Sequence, residues 1–330
     1  MKNIKNTTAL ICAVLSSSCA GTDSSVSRGF PQATISNGKI EAVLAVDTGR
    51  PDNFYRGQRF DWSGVIYSLR FDGHEYFGEW FSNFDPYFHD TICGPVEEFT
   101  QIGYENASVG GEFLKIGVGV LRKKADTEYT FRVPYEIVDG GKWTCKVGAK
   151  SVEYNQKLDS KIASYDYTKV VELVDGAPVM KIRHTLKNTG KTPIETLVYC
   201  HNFFMLDGEK TSPAISLKFA YEPRDPELVR DPDGLSVLKG GTLNFTRQSV
   251  PADNILYRGL KGLNKVENYD FVLSNSKTGA TVRIKSDSPL VKATFWACHT
   301  TYCIEPFTKI SIPAGGEYSW VNTYEFSTKK

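Results

Sequence analysis

The chain has 330 residues, 41% of them hydrophobic and 23% charged, with 39 basic against 38 acidic side chains. That is the composition of a globular protein. With no long run of one sign, nothing in the balance suggests an electrostatic grip on nucleic acid, and it gives no hint of a strongly anionic substrate.

The N-terminus reads as an export leader. Met1, Lys2 and Lys5 form a positive start, and Ala9 to Leu15 is an apolar run. The run is far shorter than the roughly 20 residues that span a bilayer. Small residues then lead into Cys19, in Ser16-Ser17-Ser18-Cys19-Ala20-Gly21. This resembles a bacterial lipobox, in which the cysteine is lipidated and becomes the first residue. Leu15 stands four places before Cys19 rather than three, and a cut after Ala20 is the rival reading. The expected organisation is a signal peptide over 1–18, a lipid-anchored polar tether over 19–36 and one domain over 37–330. The protein would then be exported and held by Cys19 on a membrane, facing the periplasm or the cell surface.

From Lys39 the pattern is one of short runs rich in Val, Ile, Tyr, Phe and Thr, bounded by turn residues. In chain order the strands expected include Ile40–Val46, Val65–Phe71, Phe113–Leu121, Tyr129–Ile137, Val152–Leu158, Tyr167–Val174 and Val179–Leu186. Thr196–Phe204, Ile215–Tyr221, Asp270–Leu273, Ala280–Ile284, Val291–Ala297 and Tyr318–Phe326 follow. Asp175-Gly176 marks a hairpin, and Glu222–Gly234 is a loop by composition. No long segment sustains a period of 3.6 residues and no linker splits the chain. The fold class is all-β, a large antiparallel β-sandwich.

Two segments carry acid–base chemistry. Strand alternation puts Tyr199, His201 and Phe203 on one face, an imidazole between aromatic rings that suits contact with a sugar. Glu305 stands between Ile304 and Pro306, where apolar company would raise its pKa towards that of a general base near neutral pH. Each has a plainer reading: a hydrogen-bonded core histidine, and an exposed loop carboxylate. Asp253 could hold a sugar hydroxyl. Cys298, His299 and Cys303 lack a C-x-x-C pair and a fourth ligand, so no metal is expected. Five cysteines follow the leader, an odd number that excludes a complete disulfide framework. Cys298 and Cys303 could pair across a hairpin, although buried free thiols are the plainer reading.

His201-Asn202-Phe203-Phe204-Met205-Leu206-Asp207-Gly208 resembles the H-x-Y-F-N-L-x-G segment of the aldose 1-epimerase (galactose mutarotase-like) family. Cys303-Ile304-Glu305-Pro306, with Pro313 to Tyr318 after it, resembles that family's C-L-E-P and later P-G-E-x-Y. Gly64–Leu69 with Gly73-His74-Glu75 is similar to its first hairpin, and Met180–Gly190 to the strand before its histidine. The likeness covers most of the chain from Lys39 on.

The resemblance implies a galactose mutarotase-like supersandwich with His201 as general acid and Glu305 as general base. It implies a small sugar as substrate and no cofactor. The family's H-G dipeptide is missing, so His89, or Glu97 or Glu98, would take that place. Its N-R pair is missing too, leaving Arg56 and Arg59 as substitutes. Tyr199 and Phe203 would contact the sugar. Two other readings keep the same sandwich: a non-catalytic sugar-binding lipoprotein, and a carbohydrate-active lyase, which normally adds a helical domain that nothing here suggests.

Overall fold

A computed structural model describes residues 26–224 and 226–329. The leader, Cys19 and the first part of the tether lie outside the described residues. The rest of the tether differs from expectation. Gln32–Ser36 is a strand, because it pairs residue by residue with Ile40–Ala45, which pairs in turn with Ile66–Phe71.

Two antiparallel sheets make the body. The larger has ten strands, in the order Ser236–Lys239, Thr242–Phe245, Ile215–Phe219, Asp270–Asn275, Ala280–Ser286, Glu317–Thr328, Val179–Asn188, Tyr165–Leu173, Ser151–Leu158 and Lys142–Val147. The second has six, in the order Glu227–Arg230, Asn254–Lys265, Leu290–Cys298, Tyr302–Ile312, Ile194–His201 and Val96–Phe99. Period-2 burial is strict along Tyr165–Leu173, where every second residue is buried. Such strands have one face for the core and one for the other side.

Met180, Ile182, Leu217, Phe271 and Val282 of the large sheet meet Ile255, Phe295 and Ile304 of the small one in a shared apolar core. The sandwich expected from the sequence is therefore the observed architecture. Asp175-Gly176 does turn a hairpin, with Gly176 at φ 68°, a left-handed conformation that glycine adopts without a Cβ clash.

Three segments depart from the expected pattern. Phe113–Leu121 is two strands, Glu112–Lys115 and Gly119–Arg122. Gly117 reverses the chain between them at φ 79°, and a Cβ there would come within 2.7 Å of the Asp61 side chain. Tyr129–Ile137 pairs only from Glu136 on. Pro134, which has no N–H to donate, interrupts it, and Tyr129 and Tyr135 stack with centroids 5.6 Å apart. Glu227–Arg230, inside the expected loop, is an edge strand held by one neighbour. All four of its residues are exposed, so it shows no hydrophobic alternation.

Candidate active site

The outer face of the six-stranded sheet, away from the core, floors a cavity of about 590 Å³. Its size is that of a small-ligand pocket. Cross-strand register builds the floor. Tyr199 opposes Phe307 and Glu98, Glu305 opposes Thr294, and Phe307 opposes Lys292. Trp296 opposes Leu256, which opposes Arg230. Arg59, Phe131 and Arg132 close over the floor from loops.

His201 and Glu305 converge there. Nε2 of His201 lies 3.1 Å from Oε1 of Glu305. Both residues are buried, at 2% and 6% exposure, yet both line the cavity. Glu305 sits inside the strand Tyr302–Ile312, so the exposed-loop reading is wrong for it.

The His201 ring stacks on Phe203 at 3.9 Å and 8° and meets the edge of Phe60 at 5.4 Å. Its Nδ1 has no hydrogen-bond partner among the described residues, so packing orients the ring. Burial pushes the Glu305 carboxyl up to about 8, against the pull of Arg59 and Arg258. Burial, helped by the Arg59 charge, pushes the imidazole well below 6.5. Both shifts disfavour charge and so favour a protonated Glu305 beside a neutral imidazole, a pair sharing one proton.

Arg59 is the best-held cation of the site. It donates to Glu98 at 2.8 Å, Asp90 at 2.7 Å and the Tyr199 hydroxyl at 3.2 Å. Its guanidinium lies 3.9 Å from the Phe131 ring centre. Glu98 also accepts from Lys115 at 2.9 Å and from the Tyr199 hydroxyl. Burial alone would raise the Glu98 pKa, but Lys115 and Arg59 more than offset it and hold it low.

Of the residues singled out from sequence, His201, Glu305, Tyr199, Phe203 and Arg59 come together in the cavity. Four others lie elsewhere. Arg56 is buried against Asp47 at 2.9 Å and 3.0 Å, with its guanidinium 4.5 Å from the Trp62 ring centre. Glu97 points the other way from Glu98, because neighbours on a strand face opposite sides. It joins Lys169 and His184 in the interior, its oxygen 3.0 Å from His184 Nε2. Asp253 is tied to Arg247 at 2.7 Å and closes its own turn on the Val250 N–H at 2.8 Å.

His89 packs at a tilt against the rings of Phe88 and Phe131 and lies 3.2 Å from Asp90; Asp90, not His89, reaches the cavity. Cys298 and Cys303 are free thiols, since Cys303 opposes Trp296 across the sheet rather than Cys298. Among the described residues no cluster of His, Cys, Asp or Glu could hold a metal ion.

Sequence reasoning missed Trp296, Arg258, Lys292, Arg230, Asn254 and Phe307, all of which line the cavity. The one signal for them was alternation in the strands beside Glu305, and that becomes readable only once the pairing register is known.

No protein-family model matches this chain, and no curated protein sequence matches it. Solved structures do. A putative aldose 1-epimerase from Escherichia coli K12 superimposes with a TM-score of 0.52 at 12% identity, over 90% of this chain and 99% of that one. A galactose mutarotase-like protein from Lactobacillus casei gives 0.52 at 12% identity, over 90% and 100%. A protein of Synechocystis sp. PCC 6803 gives 0.55 at 10% identity, over 91% and 96%. At these identities the likeness establishes the fold.

Proposed function

We propose that this galactose mutarotase-like sandwich interconverts the anomers of a free aldose or of a reducing-end sugar. The observation that carries the proposal is the imidazole and the carboxyl 3.1 Å apart on the floor of one open cavity. They come from strands neighbouring in space but about a hundred residues apart in sequence.

Breaking the ring needs one group to take the proton from the C1 hydroxyl and another to protonate the ring oxygen. Those two oxygens share one carbon, so the groups serving them must be close neighbours. Passing the proton from Glu305 to His201 across their contact makes the carboxylate the base and the imidazolium the acid. The charges of Arg59 and, from two strands away, Arg258 favour that carboxylate, while Arg59 disfavours the imidazolium. The C1 proton goes to Glu305, His201 gives its proton to the ring oxygen, and the C1–O5 bond breaks to the open aldehyde. Rotation about C1–C2 and reversal of both transfers close the other anomer. The pair regains its single proton, and no cofactor enters the balance.

Trp296 and Phe307 supply apolar surface against which a sugar ring can lie, whereas Phe203 is stacked with both His201 and Trp80 and serves to orient the imidazole. Proton NMR of freshly dissolved α-anomers tests the reading. The wild type accelerates exchange, and Glu305→Gln lowers the rate by about 10²–10⁴-fold, the usual worth of one positioned proton transfer. Wild-type protein that accelerates no neutral, acidic or oligomeric reducing sugar would end it. The export leader and the lipid on Cys19 remain part of the proposal, resting on the sequence of residues 1–20.

A further inference from the structure

The net charge of the whole chain conceals a local excess. Five cations line the cavity, Arg59, Arg132, Arg230, Arg258 and Lys292, against two carboxyls, Asp90 and Glu305. Arg59 and Asp90 neutralise each other at 2.7 Å. The other four cations have no carboxylate partner among the described residues.

Arginines on the sheets outside the cavity behave differently. On the sheets Arg122, Arg183 and Arg283 each hold a carboxylate, at 2.8 Å, 2.7 Å and 2.5 Å. In the cavity Arg230 has only the side-chain oxygen of Asn254, at 2.7 Å. Lys292 has the Phe307 ring, with its nitrogen 4.7 Å from the centre. Leaving several cations unpaired on one concave wall costs mutual repulsion, which an anionic ligand would relieve.

The wall stands at a fixed offset from the acid–base pair. Lys292 lies one strand from Glu305 and Arg258 two. Lys292 opposes Phe307, two residues beyond Glu305, so its offset is a diagonal of roughly 8 Å, and that of Arg258 is roughly 10 Å, comparable to the breadth of a hexopyranose with its exocyclic group. A sugar with C1 over His201 and Glu305 therefore presents its far end to Arg258 and Lys292. A bulge between Tyr257 and Leu260 sits at Arg258, and bulges re-aim side chains beside sites.

We infer that Arg230, Arg258 and Lys292 form an anion subsite, and that the natural substrate is an acidic sugar carrying a carboxylate or phosphate remote from its anomeric carbon. This rests on the proposed anomer exchange for its placing of C1, although the subsite can be tested by binding alone.

The test compares wild-type protein on galactose and galacturonate, and on glucose and glucose 6-phosphate. Exchange is followed by proton NMR with the uncatalysed rate subtracted, and binding by calorimetry. The expected result is kcat/KM higher by about tenfold or more for the acidic member of at least one pair, the size of one charge-assisted hydrogen bond. Which pair shows it tells carboxylate from phosphate. The preference should shrink at raised ionic strength and in the Arg258→Gln, Lys292→Gln double variant, chiefly through KM, with its melting curve confirming the fold.

Equal kcat/KM within both pairs overturns the anion subsite and leaves the epimerase reading standing. If no sugar exchanges, that reading falls and calorimetry decides. Tighter binding of the acidic sugars then supports the subsite, and equal or absent binding of all four overturns it.

Discussion

Replacing Glu305 by Gln should cost activity and gain stability, and the gain should grow with pH. The carboxyl has an ordinary value of 4.5 and is pushed by burial to about 8. Between those values the folded chain holds a proton that the unfolded chain has released. Stability of the wild type therefore falls as pH rises through that window, and the loss is complete above pH 8. At 1.36 kcal/mol per pKa unit, the penalty is about 1 kcal/mol at pH 5, about 3 at pH 7 and about 5 at pH 9. A glutamine carries no proton to lose, so it escapes the whole pH-dependent part. Any mismatch of its amide with His201 adds a constant. Urea unfolding of both proteins at pH 5, 7 and 9 isolates the slope from that constant. The difference should swing towards the variant by about 4 kcal/mol over the range. A difference that stays flat would mean that Glu305 ionises like a solvated carboxyl. The argument from burial would then be wrong, and with it the reason for regarding this residue as a base poised near neutrality.

The same pair sets the pH profile of exchange. With one proton shared, kcat/KM should hold its level up to about pH 8 and then fall tenfold per unit as Glu305 loses the proton; a profile already falling from pH 6 would refute the assignment. Arg59→Met should lower stability by about 3 kcal/mol in chemical denaturation, because Glu98 and Asp90 lose a buried partner. Glu97→Gln should destabilise by a similar amount while KM for the sugar is kept. Burial alone would raise the Glu97 pKa, but Lys169 and His184 hold it at about 2, so its contribution is present above 4.5 and lost as pH falls through 2. Cys19→Ser should move the protein from the membrane pellet to the soluble fraction; an unchanged distribution would count against lipidation at that residue.

How much of this was legible in the sequence depended on whether a residue's role was set locally. Strands buried on one face announce themselves, as Tyr165–Leu173 and Val179–Asn188 do, because alternation is a local pattern. Glu227–Arg230 could not, since an edge strand with four exposed residues has no face to protect. The acid–base pair was found through short motifs around His201 and Glu305. Its neighbours Trp296, Lys292 and Arg258 carry no motif. They reach the cavity only because two-residue alternation on three strands is phased by cross-strand register, which the chain does not spell out.

The adjacent glutamates in Val96–Phe99 show how much that phase decides. Glu97 and Glu98 are both buried and both paired to a lysine, and nothing in composition tells them apart. Cys200 opposes Glu97, and Tyr199 opposes Glu98. Cys200 faces inward, its sulfur 3.3 Å from the Tyr324 hydroxyl of the other sheet, whereas Tyr199 lines the cavity. The core thus dictates the site. Once Val198 and Cys200 must pack inward, Tyr199 and His201 have to look outward, and Glu98 rather than Glu97 must go with them. A one-residue slip of this strand one way would put Glu97 in the place of Glu98 and Val96 in the place of Glu97, leaving Lys169 without its carboxylate. A slip the other way would put Glu98 in the place of Glu97 and Phe99 in the place of Glu98, leaving Arg59 without that partner. Either slip strips a buried cation of a carboxylate, and that cost pins the register that holds Arg59 beside His201 and Glu305.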